Sequence, residues 1–345
     1  MTKGKVAIAL SGGVDSSVAA LLLKQAGYDV IGIYVRLWNS PNLGYQAHQA
    51  EHLCSTLSIP FHIVDLQKEF EHYVVDYFCQ GYQQGRTPNP CIACNQYIKF
   101  GFLLDKALSL DADYLATGHY ARIEPSSDSY HLLKAADASK DQSYFLYNLS
   151  QEKLGHILFP LGGYTKTEVK QIAKRTELPF VTKASQDLCF ISQRNYRAFL
   201  SQCLSNMPGD TTDAQGTILG HHHGIAFYTI GQRHGLGLAL GEPLYVIRIE
   251  PKYNRIVLGS EVELYSQKVV AENLSWTAGE LPSEPVTITA KIRYKSREAE
   301  ATVFSEADSA EIWFSQPQRA VTPGQAIVFY KGDEVLGGGA IESSQ

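Results

Sequence analysis

The chain has 345 residues, a formal net charge of −5, 44% hydrophobic residues and 19% charged residues. That length exceeds what one core usually serves, so two or three domains are expected, and the negative balance excludes a general pull toward polyanions, leaving any nucleic-acid partner to a local basic patch. No apolar run approaches about 18 residues, and the start MTKGKVAIALSGG breaks at glycines without an export signal, so a cytoplasmic protein with no membrane partner is expected.

In chain order, residues 5–10 form an apolar β-type run. SGGVDSS follows, and Val18, Leu21, Leu22 and Gln25 then keep helical spacing up to a stop at Gly27. DVIGIYVRL is a second strand with β-branched residues. Strand, glycine loop, helix and strand make a βαβ unit, which implies a parallel sheet. Residues 46–58 read as helix, 61–65 as strand, 67–84 and 96–110 as helix, and DYLATGHYARI over 113–123 as another buried strand. The fold class is therefore α/β, with a doubly wound parallel-sheet domain over residues 1–206. Beyond it, short alternating runs rich in Gly, Thr, Val, Ile and Tyr take over. YVIRIEPKYNRIVLG reads as a hairpin, and 285–298, 301–304, 310–314 and 325–330 as strands. These give a small central β-rich domain over 207–264 and a C-terminal β-barrel over 265–345. His221, His222 and His223 fall in a glycine-flanked stretch that reads as a solvated loop, since three adjacent side chains do not easily face one ion.

The loop Ser11-Gly12-Gly13-Val14-Asp15-Ser16-Ser17 joins the first strand to the first helix. Glycines let the backbone approach an anion, and the helix start offers unpaired N–H groups and a positive dipole end. The Lys of GxxxxGK[ST] is absent, as is GxGxxG, so on its own the loop is either an anion cradle or a capped βα turn. Six cysteines are present: Cys54, Cys79, Cys91, Cys94, Cys189 and Cys203. Cys54, Cys79 and Cys203 read as small buried hydrophobes on helices. Cys91 and Cys94 lie in TPNPCIACN, where two prolines stiffen the approach and a helix starting near Asn95 would favour a thiolate at its N-terminus. Metal binding, redox chemistry and nucleophilic catalysis all stay open for that pair, with no second CxxC in view.

Taken in order, SGGVDSSVAALLL, GRTPNPCIACNQYIKFG, ATGHYARI, KDQSYFLYNL, FPLGGYTKTEVKQIA, SQDLCFI and YTIGQRHGLGL closely resemble the bacterial tRNA-specific 2-thiouridylase family, in the superfamily of enzymes that split ATP into AMP and pyrophosphate. The resemblance runs along nearly the whole chain and is weakest after about residue 265. It implies that ATP, with Mg²⁺, adenylates the C2 oxygen of the wobble uridine in tRNAs of the Lys, Glu and Gln type. Sulfur then replaces that oxygen. The nucleophile is Cys94, and Cys189 carries the persulfide delivered by a sulfur-relay protein or cysteine desulfurase. A Cys94–Cys189 disulfide remains after turnover.

The same resemblance assigns nucleotide contacts to Ala9, Leu10, Ser11, Gly12, Gly13, Val14, Asp15, Ser16, Val35 (after the second strand) and Gly118. Asp15 is also a candidate for Mg²⁺. Asn89, Pro90 and Cys91 match the stretch against the flipped target base, flipping being needed because C2 is buried in the stack. His119, Lys140, Asp141, Gln142, Arg293, Tyr294 and Gln325 match tRNA contacts, and Asp141 is a further catalytic candidate. KIRYKSR would set Lys291, Arg293, Lys295 and Arg297 on alternating positions of a strand, one basic face for phosphate. Many relatives carry Asp where this chain has Cys91. That departure opens a second reading, in which Cys91, Cys94 and Cys189 hold a 4Fe–4S cluster. An ATP-splitting ligase that uses ammonia, which would need no cysteine, and a non-catalytic RNA-binding or sulfur-carrier protein, which would release no pyrophosphate, are the rival classes. DNA is not expected as a partner.

Overall fold

The computed structural model describes residues 3–38, 43–180, 188–191, 196–204, 207–238, 242–280 and 282–344. β1 (Lys5–Leu10) runs through the glycine loop into α1 (Val14–Gln25); β2 (Asp29–Arg36), α2 (Leu43–Leu57) and β3 (Phe61–Asp65) follow. Two helical runs, 67–83 and 90–108, lead to β4 (Tyr114–Ala116), then to the hairpin of β5 (Ala121–Pro125) and β6 (Tyr130–Lys134), and to β7 (Ile157–Leu158). A parallel sheet forms in the order β3-β2-β1-β4-β7. Val6, Ala7 and Ile8 have no exposed surface, as a strand covered on both faces requires. The chain moves outward from β1 to β2 on one side and reaches β4 on the other. The carboxyl ends of β1 and β4 therefore flank a switch point, where open α/β sheets bind ligands.

α1 buries Ser16, Ser17, Val18, Ala19, Ala20 and Leu23. The expected stripe differs, because Leu21 and Leu22 are only half-buried. Small side chains face the core so that α1 can lie close to the sheet and to the helix Lys166–Arg175, whose Val169 and Ala173 share that core. Gly27 stops the helix with φ +88°.

DYLATGHYARI is not one strand. β4 ends at Ala116 in the parallel sheet, and β5 begins at Ala121 in a different sheet. The β5–β6 hairpin leaves the nucleotide-type fold and pairs through Leu133 with Glu334 of the C-terminal region.

The central region forms a small sheet of β8 (Gly209–Thr212), β9 (Ile218–His222), β10 (Tyr245–Glu250) and β11 (Arg255–Gly259), in the order β10-β11-β8-β9. The expected hairpin is β10–β11, turned at Asn254 with a left-handed φ of +46°. His221 and His222 lie on β9 rather than in a loop. His222 is buried, donating from Nε2 to the Asn254 carbonyl and accepting the Gly224 N–H at Nδ1, 3.0 Å each. His221 is exposed and pairs with Asp210.

β12 (Tyr265–Trp276), β13 (Val286–Lys291), β14 (Ala299–Glu306), β15 (Ser309–Arg319), β16 (Ala326–Lys331) and β17 (Glu334–Ser344) follow. β12 pairs with both β15 and β17, which closes the six strands into an antiparallel barrel. Val269, Ile288, Val303, Ile312, Phe314, Ile327, Phe329 and Ile341 fill it. KIRYKSR departs from expectation: β13 ends at Lys291, and Arg293 to Ser296 form a turn closed by the Ser296 N–H on the Arg293 carbonyl at 3.0 Å. Arg293, Lys295 and Arg297 are still exposed, on a loop. Cys54 and Cys79 are buried as expected; Cys203 is exposed at the end of the helix Tyr196–Cys203. No helix among the described residues is long and apolar enough to cross a membrane.

Candidate functional site

At the carboxyl end of β1 the backbone turns at Gly12, φ +73°. Ser16 Oγ donates to the Gly13 carbonyl at 3.0 Å and accepts the Ser11 N–H at 3.2 Å; Ser17 Oγ donates to the Gly13 carbonyl at 3.1 Å. The serines thus stiffen the loop, the Ser11 N–H being taken up by Ser16 and the Gly13 N–H by the Ser11 hydroxyl at 3.3 Å. Gly118, in the loop after β4, closes the other side. A Cβ there would stand 3.0 Å from the Ser16 nitrogen and 3.1 Å from the Asp15 carbonyl carbon, so a side chain at this position makes the loop or the start of α1 give way by a few tenths of an ångström. Val35 lies within β2, not after it, one residue beyond the last pair with β1, Leu10↔Tyr34. Its backbone is therefore at the sheet's carboxyl edge.

Asp15 is held by Lys166, whose Nζ is 2.5 and 2.6 Å from its two oxygens, and by the Tyr120 hydroxyl at 2.8 Å. Lys166 was not among the residues expected here. Its position follows from a capping box: the Thr165 hydroxyl accepts the Glu168 N–H and the Glu168 carboxylate accepts the Thr165 N–H, which fixes Lys166 as the first helical residue. The pattern T-x-x-E in YTKTEV carried that signal. Burial and the Asp15 carboxylate together hold the Tyr120 phenol well above its ordinary range, so it stays a donor.

The second half of the site is built on the 90–108 run. Asn89 caps its start, accepting the Cys91 N–H at 3.1 Å, and Pro90 occupies the first helical position. The helix thus begins before Cys91, and Cys94 sits a turn inside it, at the start of a π-helical stretch, Cys94–Phe102. The expected dipole-favoured thiolate at Cys94 is not what forms. Burial pushes the Cys94 thiol up to about 11 and also raises Cys91; Lys99 is the cation that opposes burial at both.

Cys189 is placed by its neighbours. Phe190 and Ile191 are buried, and the Phe190 ring packs on Phe199, Phe78, Phe70 and Trp38 with centroids 5.3, 5.4, 5.9 and 6.3 Å away. Such ring pairs contribute about 0.5–1.5 kcal/mol each beyond area burial. Anchored this way, the chain leaves Cys189 exposed, while the protein atoms around its sulfur and the neighbouring Cys94 and Cys91 push its thiol up to about 12. Cys94 and Cys91 each act on Cys189 electrostatically, so the three thiols share one neighbourhood. Cys94 and Phe190 belong to the same core. All six cysteines are free thiols. Among the described residues no three His, Cys, Asp or Glu side chains are arranged to hold one metal ion. Ser185, Gln186 and Asp187 of the SQDLCFI motif lie outside the described residues.

The remaining candidates divide into fasteners and exposed contacts. Asp141 is buried, and its oxygens accept the Ala135 N–H at 3.0 Å, the Ser143 N–H at 3.2 Å and the Ser143 hydroxyl at 2.9 Å. Gln142 and Tyr120 bond reciprocally, joining the KDQ loop to the GHY loop. Gln325 donates from Nε2 to the Thr87 carbonyl at 2.7 Å, the Thr87 N–H donates to the Pro323 carbonyl at 2.8 Å, and Arg86 pairs with Glu342. The barrel therefore grips the loop that carries Asn89, Pro90 and Cys91. Tyr294 lies over Phe145 at 4.5 Å, which brings exposed Arg293 to the side of the molecule that carries the 140–145 loop. Lys140 is exposed; His119 is buried.

A family model described as a tRNA methyl transferase HUP domain matches residues 4–193, a PRC-barrel domain of the same name matches 197–260, and an aminomethyltransferase beta-barrel domain matches 266–341. A tRNA-specific 2-thiouridylase MnmA of Carboxydothermus hydrogenoformans is 45% identical over 98% of this chain and 97% of its own length. Those of Clostridium perfringens and Moorella thermoacetica are 44% and 46% identical, over 99% and 97% of this chain and 99% of each relative. The chain belongs to the tRNA-specific 2-thiouridylase family. A solved U34-tRNA thiolase NcsA from Methanococcus maripaludis, with its [4Fe-4S] cluster, is 22% identical with a TM-score of 0.36, over 59% of this chain and 64% of that one; at that score it bears on no residue here. Against the 2-thiouridylase expectations, two site residues were missed. Lys166 carried a capping signal, and Lys99 carried none beyond its place in QYIKFG.

Proposed function

We propose that the chain is an ATP-dependent tRNA sulfurtransferase that makes 2-thiouridine at the wobble position, dividing at residues 206 and 264 into catalytic, central and barrel units. Family membership supports the reaction class, and the observation that carries the reading is the electrostatic neighbourhood shared by Cys94 and Cys189, in a chain whose glycine loop lies at the sheet's switch point. ATP lies across the carboxyl ends of β1, β2 and β4, its phosphates on Ser11 to Ser16 and its base near Val35. Uridine O2 attacks the α-phosphate and pyrophosphate leaves. The terminal sulfur of a Cys189 persulfide, alone or released as hydrosulfide by Cys94, then attacks C2. The C2–O bond breaks, AMP departs, and the Cys94 and Cys189 sulfurs join as a disulfide. The sulfane sulfur is reduced by the two thiol sulfurs, so the electrons balance.

Asp15 is the residue that would hold the Mg²⁺ accompanying ATP; it would do so only by releasing Lys166, whose ammonium would then be free to meet the pyrophosphate. Lys140, Arg293, Lys295 and Arg297 supply phosphate contacts for the tRNA, Asn89 to Cys91 face the flipped base, and Asp141 acts by holding the 135–143 loop. A cysteine desulfurase or relay protein supplies Cys189 with sulfur, in the cytoplasm.

The cluster reading finds no three-residue metal group among the described residues, and no step is routed through iron. Metal analysis of the freshly purified, anaerobically handled chain tests this. The account expects 2-thiouridine formation from unmodified tRNA, ATP, Mg²⁺ and a persulfide donor at an iron content near zero. Activity that scales with iron content and vanishes on its removal contradicts it.

A further inference from the structure

The stretch Cys94–Phe102 is wound in wide, π-type turns and kinks at Phe100 and Gly101, whose φ/ψ are −102°/18° and −116°/−105°, so the regular part runs from Cys94 to Lys99. Its i→i+5 hydrogen bonds bring residues five apart back to one face. Cys94 and Lys99 are five apart; on an ordinary α-helix that spacing would turn them away from each other. The Lys99 ammonium is in turn held by His119, with Nζ 3.3 Å from Nε2. An ammonium has only donors, so the ring accepts at Nε2 and donates from Nδ1 to the Thr117 hydroxyl at 2.7 Å. Phe100 and Phe159 flank the ring, each with its centroid 5.9 Å away. Burial, aided by the Lys99 charge, keeps His119 well below the ordinary imidazole range, so it is uncharged at neutral pH. A neutral acceptor orients Lys99 without cancelling its charge. That charge acts on Cys91, Cys94 and Cys189, and at each of them burial is what it opposes.

We propose that Lys99 is a positioning residue for the sulfur chemistry: from the helix face it shares with Cys94, held by the neutral His119 ring, its ammonium stabilises the thiolate formed at Cys94 and at Cys189. The proton goes to solvent and no electron changes hands. The inference rests on the thiol reading of these cysteines, and it deepens that reading by naming the group that makes a buried thiol usable. The groups facing the two thiols are Cys91, Lys99 and each other, with His119 behind Lys99.

Thiol reactivity tests it without tRNA or turnover. The full chain is alkylated with iodoacetamide from pH 6 to 10, and each cysteine is followed by peptide mass spectrometry in wild type, Lys99→Met and Lys99→Arg. One unit of midpoint shift is about a tenfold change in thiolate fraction. The expected result is that Lys99→Met slows Cys94 and Cys189 about tenfold at pH 7.5 and moves their midpoints upward. Lys99→Arg restores the wild-type profile, and exposed Cys203 reacts equally in all three. Unchanged midpoints in Lys99→Met overturn the inference, even where Cys94 and Cys189 prove essential for thiolation. Buried Cys54 and Cys79 report folding; should they react in Lys99→Met, Lys99→Gln, which keeps a donor for His119, takes its place with the same two outcomes.

Discussion

Cys94→Ser and Cys189→Ser chains are expected to form no measurable 2-thiouridine, a loss of at least about a thousandfold, the scale on which removing an essential nucleophile acts. The reason is chemical rather than structural. A serine hydroxyl neither carries a sulfane sulfur nor ionises near neutral pH, whereas its size fits either position. Both variants should therefore keep the wild-type melting temperature within a degree or two and still bind ATP. Cys91→Ser separates the alternatives. Cys91 sits in the first turn behind the Asn89 cap, half-buried, and in the persulfide account its loss lowers the rate without abolishing it. The assay is mass spectrometry of digested tRNA. Activity retained in Cys94→Ser would remove the nucleophile from the account.

The second large effect is expected at Gly118. Gly118→Val drives methyl groups into the Ser16 amide and the Asp15 backbone, which even a single Cβ meets at 3.0 and 3.1 Å. Overpacking of this kind costs about 1–3 kcal/mol. Where the strain is relieved by moving the start of α1, the cost falls on nucleotide binding, about ten- to a hundredfold in ATP-dependent pyrophosphate release. The cysteines are on other segments, so their alkylation profiles should not change. Gly163, by contrast, has open space around it, and Gly163→Ala serves as the neutral control. Wild-type pyrophosphate release in Gly118→Val would place the nucleotide elsewhere.

The turn from β1 into α1 was legible in the sequence because its signals are local, while its assignment to a nucleotide came from the family resemblance alone. A strand, two glycines and a helix start lie within seven residues, and the fold adds only the loop of Gly118. The cysteine half was legible in part. Phe190 and Ile191 look like core in SQDLCFIS, and they are; that same anchoring leaves Cys189 exposed, a consequence visible only once Trp38, Phe70, Phe78 and Phe199 surround them. The wide turns of Cys94–Phe102 and the kink at Phe100 and Gly101 leave no mark in 3.6-residue spacing, so nothing in the sequence singled out Lys99. KIRYKSR alternates like a strand, yet the Tyr294 ring packs at a 42° tilt on Phe145 of the other domain, where the backbone turns. The β5–β6 hairpin has the same alternation in any sheet it joins, and its choice of β17 is a tertiary fact. Cys203 follows helical spacing, but its helix ends there, at the surface.

The most direct measurement is a single turnover. The chain, loaded with persulfide and freed of the donor, is mixed with one equivalent of unmodified tRNA, ATP and Mg²⁺, quenched in acid with alkylating agent, and split for tRNA analysis and non-reducing peptide mapping. The account predicts a Cys94–Cys189 disulfide peptide in an amount equal to the 2-thiouridine formed, with one AMP for each. 2-Thiouridine formed while Cys94 and Cys189 are both recovered as alkylated thiols would contradict it.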